Sequence, residues 1–441
     1  MLKVVEKTAS ILRKQSVDGF DIYCTESVGF TVEVRNSSVE TIKTTHTVGL
    51  AVRVLVDGRL GFAYTTDTSD DSVAVTIECA KENARTGVRD EYSFSTPSSS
   101  YFTLRYDESY PEIPPERKVE LALELESKAK GIDPRIKKVR KATYADSLAG
   151  VYYLNSNDNA FSYTTSNFSL SILLVAEDGG DSETGWDWDS RRFFSELNPD
   201  LVAHRSAESA LQLLGARPMS TTTIPIIFKN VVFAEILSAI STAFTGENIV
   251  RRKSIFADKL GSKVASQHLC VYDDPFQLNG TRSAPFDDEG TVTRKKAVIE
   301  RGILKNFLLD IYSAKKLGME PTGNGIKPAV SRPPRSGATN LKVEEGKLEL
   351  EELLRLPEEV LLVTDAMGVH TVNPITGEVS IGVSGVYYRN GEAVQPVRGM
   401  TVAGSVLDMF KNVAEVGRDS RWLGSVCSPS ILVEYMTVGG K

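Results

Sequence analysis

Apolar and polar positions divide the chain into helical and extended stretches. Leu2, Val5, Ile11 and Leu12 recur on one helical face, and GFDIYCT, VGFTVEVRNSS and VETIKTT then alternate apolar with polar residues. This pattern predicts a helix leading into antiparallel strands. TVGLAVRVLVDGRLGFAYTT predicts two strands joined at Asp57-Gly58, a dipeptide that supplies the positive φ of a tight hairpin turn. Helical periodicity returns over residues 68–86 and in PPERKVELALELESKAKGI, where Pro114-Pro115 can open a helix but not interrupt one. Strands are expected again from Ile136 to Val175, followed by a helix in PDLVAHRSAESALQLLGA that ends at Gly215, and by the turn-rich ARPMSTTT.

The second half opens with the short strand TIPIIFKN and a run, EILSAISTAFTGENIVRR, that reads as one buried helix with a polar exit. Phe233, Ile236, Leu237, Ile240 and Phe244 recur at helical steps, while Glu235, Ser238, Ser241, Thr242 and Thr245 form a narrow polar stripe. Small hydroxyls in such a seam more often bond back to helix carbonyls than line a groove. Strands are predicted in HLCVYDD, TVTRKKAVIER and GILKNFLLD, and near Ala257–Leu260. GMEPTGNGIKPAVSRPPRSGATN is the longest irregular stretch. Beyond it, EEVLLVTDAMG, GEVSIGVSGVYYRNGEAVQPVRG with its Asn390-Gly391 turn, and SILVEYMTVGG alternate as strands around a helix near Val402–Glu415. Much strand with few crossover helices argues for antiparallel sheets or a barrel. The expected class is α+β in two domains: a mixed α/β domain with antiparallel strands over 1–215, and a β-rich, barrel-like domain with helices over 222–441.

A chain of 441 residues exceeds what one core usually holds, which supports the division in two. With 51 Lys+Arg against 58 Asp+Glu, a net charge of −7 gives no general attraction to nucleic acid or anionic lipid. No apolar run is long enough for a membrane span, and MLKVVEKTASILRKQ lacks the unbroken apolar core of a signal peptide, so a cytoplasmic location is expected. Cys24, Cys79, Cys270 and Cys427 form no CxxC pair and are expected as free, mostly buried thiols.

Familiar catalytic patterns are few. The four histidines, His46, His204, His268 and His370, lie far apart in sequence. His268 and Cys270 would share a strand face, but without a third ligand they read better as a structural pair than as a metal site. GVSGV is not the GxSxG of a nucleophilic serine, and PTGNG, lacking Lys-Ser/Thr, reads as a turn rather than a phosphate loop. Asp287-Asp288-Glu289-Gly290 could ligate a hard cation, although a solvated turn is the plainer reading. Arg251-Arg252-Lys253 is expected to face water or to pair with that acidic turn.

TIPIIF leading into the helix, GENIVRRKSIF after it, the long run FDDEGTVTRKKAVIERGILKNFLLDIYSAKKLGMEPTGNG and the terminal TVGGK resemble the TldD/PmbA family, in particular its PmbA (TldE) branch. The likeness spans most of the chain and is strongest over residues 222–325. It implies an N-terminal α/β domain and a C-terminal domain with a barrel-like core. The TldD branch is a metallopeptidase whose helix carries HExxxH, with a further ligating Cys near the C-terminus. Aligned on the shared Arg-Arg, that motif falls on Ser238, Ala239 and Ala243, none of which can ligate zinc as imidazole does or act as general base. A pair at i, i+5 would also need a distorted helix, which a chain without the ligands has no reason to keep. Cys427 in SVCSPSILVEY does not match the ligating Cys.

The resemblance therefore implies a non-catalytic subunit that binds no metal itself, pairs with a zinc-bearing TldD-type catalytic subunit in a heterodimer, and helps thread unfolded peptides for proteolysis. Candidate groove or contact residues are Ser238, Ser241, Thr242, Glu247, Asn248, Arg251 and Asn324. Two alternatives stay open: a stand-alone homodimeric binding or scaffold protein, and a hydrolase that holds a divalent ion on Asp287, Asp288 and Glu289.

Overall fold

The computed structural model describes residues 1–98 and 102–440. Its N-terminal half is built from α1 (Leu2–Leu12), β1 (Gly19–Arg35), β2 (Ser38–Val56), β3 (Arg59–Thr65), α2 (Asp70–Thr86), α3 (Pro115–Ile132), β4 (Ile136–Asn155), β5 (Ala160–Asp178), β6 (Asp181–Arg191) and α4 (Pro199–Leu211). The strands form one antiparallel half-barrel sheet in the order β3-β2-β1-β4-β5-β6. GFDIYCT and VGFTVEVR, expected as separate strands, are one 17-residue strand, because β1 is central and Glu26 pairs with Val48 on one side and Gly150 on the other. The hairpin at Asp57-Gly58 forms as expected, with φ of 49° and 71°. β6 was not foreseen: DSETGWDWDSR turns Asp187 and Asp189 inward and leaves Trp186 exposed, the reverse of the usual alternation.

The pleat of β1 organises this half. Phe20, Ile22 and Cys24 pack in one core with α1 and α2, while Phe30, Val32 and Val34, on the same face, pack in a second with α3 and α4. The four helices thus cover one face of the sheet. The other face carries Asp21, Arg53 and Tyr153 and receives the C-terminal half.

That half contains β7 (Thr222–Phe228), α5 (Asn230–Ile240), α6 (Gly246–Val250), β8 (Val271–Asp273), β9 (Lys296–Glu300), β10 (Ile303–Leu304), α7 (Ile311–Leu317), β11 (Gly325–Ile326), β12 (Arg335–Ser336), β13 (Leu341–Val343), α8 (Leu350–Leu353), β14 (Glu359–Met367), β15 (Glu378–Arg389), β16 (Glu392–Ser405), α9 (Val406–Lys411), β17 (Val413–Val416), β18 (Arg421–Leu423), β19 (Val426–Ser428) and β20 (Ile431–Gly439). A sheet in the order β16-β15-β14-β7-β20 closes through β16–β20 pairing into a five-stranded barrel, with β17 on the far edge of β20. A second sheet runs β10-β9-β8-β13-β19-β18. The architecture is α+β, with a barrel as expected.

Several local expectations fail. Ala257–Leu260 is not a strand but a series of turns. The helix expected over Val402–Glu415 is limited to α9, because β16 runs on to Ser405 through pairing with β15 and β17 begins at Val413. The Gly/Pro-rich stretch folds back on itself through the short β11–β12 pair.

Candidate functional site

The run expected as one helix is broken. α5 ends at Ile240, a tighter 3-10 turn occupies Ser241–Phe244, Thr245 is extended, and α6 restarts at Gly246. Close packing imposes the break. The Gly246 amide donates to the Leu308 carbonyl at 2.8 Å, and a side chain at position 246 would meet Ser313 Oγ at 2.1 Å and Leu309 at 2.8 Å, so only glycine fits. Freed carbonyls at the break are satisfied locally: Ser241 Oγ donates to Ser238 O at 2.7 Å, and Thr245 Oγ1 and Asn248 Nδ2 donate to Thr242 O at 2.7 and 2.8 Å.

The same seam also lines a groove of about 720 Å³. The two readings of the small hydroxyls are not exclusive: they bond back to the broken helix and face open space, with Ser238 and Thr242 exposed. The loop Thr281–Asp288 forms one wall and residues 326–339 the other, while Tyr23 and Tyr163 reach in from the N-terminal sheet. Charge in the groove is mixed. Lys327 lies 5.5 Å over Tyr23 and 4.8 Å over Phe62, and burial, reinforced by Arg53, pushes its ammonium pKa down to about 8. Burial raises the Asp288 carboxyl, opposed by the Lys327 amide that donates to it at 2.7 Å.

The acidic turn is not solvated, as had been expected, but is a buried bridge between the halves. Asp287 accepts from the amides of Glu289, Thr291 and Gly325, at 3.0, 2.8 and 2.8 Å. Glu289 accepts from Arg53 Nη1 and from the Ile311 amide, both at 2.8 Å. Its carbonyl takes Ser95 Oγ at 2.7 Å and Tyr153 Oη at 2.8 Å. Arg53 also forks onto Asp21. Burial lifts the pKa of both Asp287 and Glu289, the Glu289 charge adding to the rise at Asp287 and Arg53 opposing it at Glu289. Every carboxylate of this turn is engaged within the protein, which leaves no open hard-cation site of the kind considered from sequence. Arg251 does not reach it; Arg251, Arg252 and Lys253 are exposed, with Arg251 3.0 Å from Glu247.

Of the seven candidate residues, Ser238, Ser241, Thr242, Glu247 and Asn248 line the groove. Arg251 lines the neighbouring cavity of about 780 Å³ between the halves, to which Glu247 also contributes. Asn324 is a correction: it is fully buried and braces Asp273, donating at 2.9 Å to Oδ2 and at 2.8 Å to the Gly337 carbonyl. His268 and Cys270 do not converge either, His268 being exposed and Cys270 buried with its sulfur accepting the Arg301 amide. Tyr23, Tyr163, Arg282 and Lys327, which also line the groove, went unnoticed because they come from distant segments without a local motif.

The residues do not fit a resident metal. Ser238 opens on the groove, Ala243 is wholly buried in the core, and Cys427 is buried in β19 with burial pushing its thiol up to about 11. Among the described residues no three His, Cys, Asp or Glu side chains gather as a metal site would require. The run is broken between positions 238 and 243, where a regular helix is expected from sequence, but the tighter 3-10 turn does not bring the two onto one face: Ser238 opens on the groove and Ala243 lies in the core.

Family models cover the chain in order: the PmbA/TldA metallopeptidase domain 1 over residues 20–84, the central domain over 108–214 and the C-terminal domain over 221–440. The metalloprotease PmbA of Escherichia coli O157:H7 is 30% identical, with 100% of this chain and 96% of that one covered. The PmbA homolog of Haemophilus influenzae is 30% identical over 96% of this chain and 92% of its own. The crystal structure of TldE from Thermococcus kodakarensis superimposes with a TM-score of 0.89 at 25% identity, covering 99% of each chain. Sequence and fold together thus define the class, that of metallopeptidase-family proteins with all three of the family's domains. The chain belongs to the PmbA/TldD family and is of its PmbA (TldE) type. No helix among the described residues is long and apolar enough to cross a membrane.

Proposed function

We propose that this chain is a non-catalytic subunit of a peptidase complex, pairing with a TldD-type subunit that carries the zinc and the general base. Its groove holds part of an extended, unfolded peptide. One observation carries the reading: a polar groove lies beside the broken helix, on which the family resemblance aligns Ser238, Ala239 and Ala243 with the peptidase motif. A polar groove lined by Ser238, Thr242, Thr281 and Thr339 suits main-chain amides, which need hydrogen bonds rather than a particular side chain. The same reading takes 1–215 and 222–441 as two structural units and the cytoplasm as the working compartment.

The test is co-expression with an HExxxH-bearing relative, followed by native mass spectrometry and a peptidase assay on an unfolded peptide. A mixed complex is expected, with zinc in the relative only, and Thr242→Trp in this chain should slow cleavage while leaving the complex assembled. Zinc bound by this chain alone, or a chain that only self-associates in the presence of the relative, would overturn the proposal.

A further inference from the structure

Among the described residues two arginines are buried, Arg53 and Arg192, and of these Arg53 alone is matched with carboxylates. Arg53 has Asp21 and Glu289, and Arg421, on β18, reaches Asp187 on β6. Arg192, at the end of β6, is 4% exposed, yet forms no ion pair with any described carboxylate, and the Glu196 side chain acts on it only from a distance. Its three hydrogen bonds go to neutral oxygens: Nε to the Leu278 carbonyl at 2.8 Å, Nη2 to the Gly280 carbonyl at 3.1 Å, and Nη1 to Thr165 Oγ1. A guanidinium carries five N–H groups, so two remain beyond these three bonds. Burying a charge without a counter-charge is costly, and burial draws the Arg192 pKa downward.

Arg192 lines a cavity of about 260 Å³ with Arg191, Ser147, Asn167 and Asn279, and no acidic residue borders it among those described. Arg191 is itself 3.1 Å from Asp189. Asn279 Oδ1 is buried without a donor; half a turn of its amide would present N–H groups instead, which an acceptor in the cavity would satisfy. Thr165 and Thr281 belong to the linings of both this cavity and the groove, so the cavity opens off one end of the groove.

We propose that Arg192 and its cavity form an oxyanion subsite at the end of the groove, and that the oxyanion is the C-terminal carboxylate of the bound peptide. The peptide source rests on the groove reading above; the oxyanion chemistry rests on the unmatched guanidinium alone. A carboxylate would accept the spare N–H groups and supply the missing charge, fixing the polarity in which a peptide lies along the helix. Free phosphate offers the same chemistry, and the two sources must be told apart.

The experiment is isothermal titration of the full chain, at fixed ionic strength, with N-acetyl-Ser-Gly-Ala as its free acid, with the same peptide as its carboxamide, and with inorganic phosphate. The free acid should bind roughly tenfold to a hundredfold more tightly than the amide, the range of a charge-assisted pair. Arg192→Gln should bring the acid down to the affinity of the amide. Because that variant disturbs a buried side chain, Thr281→Trp provides a second route: position 281 is exposed at the cavity mouth, and blocking it should have the same effect without touching the core. Equal affinity of acid and amide, both indifferent to Thr281→Trp, would overturn the carboxylate subsite. Phosphate binding that Thr281→Trp abolishes, with neither peptide bound, would uphold the oxyanion chemistry and reject the groove as a peptide site. Absence of any anion effect would reject the subsite while leaving the groove to be judged on the amide alone.

Discussion

Removing Arg53 should loosen the junction between the two halves, and the size of the effect follows from what it leaves behind. Its side chain is 9% exposed, and those of its partners Asp21 and Glu289 are each 5% exposed. Arg53→Met keeps most of the volume but strands two buried carboxylates on opposite sides of the junction. Breaking a buried pair by deleting one member costs about 3–5 kcal/mol. Glu289→Gln should cost less, about 1–3 kcal/mol, because Arg53 keeps Asp21 and the amide can still accept from Ile311. The double variant should be more stable than the sum of the two losses predicts, since one of the stranded charges is gone. The penalty should also depend on pH. Burial already holds the Glu289 carboxyl above its ordinary value against the opposing pull of Arg53, and removing Arg53 raises it further, so the folded state of the variant binds more protons. The variant is therefore expected to lose stability as pH rises from the ordinary carboxylate range through the raised folded values, and to be least impaired in mild acid. Urea unfolding at two pH values, followed by tryptophan fluorescence, measures all of this. A loss below about 1 kcal/mol for Arg53→Met, or strict additivity, would refute the view that one guanidinium holds the halves together.

Three further outcomes follow from named contacts. Burial and the nearby Asp365 carboxylate raise the Glu235 pKa to about 7, so its protonated form favours the fold below the ordinary value of 4.5, and that contribution is lost as pH rises through about 7. Glu235→Gln should remove a fall of about 1–2 kcal/mol between pH 5 and pH 8, read as the difference between the two chains' stability profiles. Asn324→Ala should cost about 1–3 kcal/mol in chemical denaturation by leaving Asp273 and the Gly337 carbonyl short of a donor, with no change in peptide affinity; weakened binding would return Asn324 to the groove. Ala243→His should destabilise by about 1–3 kcal/mol in thermal or urea unfolding, because the position is fully buried and lacks room for an imidazole; an unchanged midpoint would mean that the core there can yield.

What the sequence conveyed and what it concealed divide along a physical line. Elements whose pattern is set by one-sided burial were legible: the hairpin at Asp57-Gly58, the alternation of β15 and the apolar stripe of α5 all express a choice between core and solvent. Elements shaped by contacts between distant segments were not. β6 buries Asp187 where Arg421, more than two hundred residues away, meets it, and no periodicity in DSETGWDWDSR announces that partner. The acidic turn read as solvated for the same reason, its cation lying on β2. The polar stripe from Ser238 to Thr245 shows in its own spacing, whereas the company of Tyr23, Tyr163 and Lys327 in the groove does not, since only the fold brings them together.

The broken helix carries this argument to function. A regular helix would satisfy more carbonyls than this broken one does, so the break needs a cause. That cause is packing: Gly246 is pressed against Ser313 and Leu309, its amide is held by Leu308, and the Thr242 carbonyl is answered by Thr245 and Asn248. The bend belongs to the packing of the core, of which Ala243 is part, and to the groove beside it. The groove beside the bend is therefore held in place by packing and hydrogen bonds of this chain's own, with no metal ligand needed to shape it.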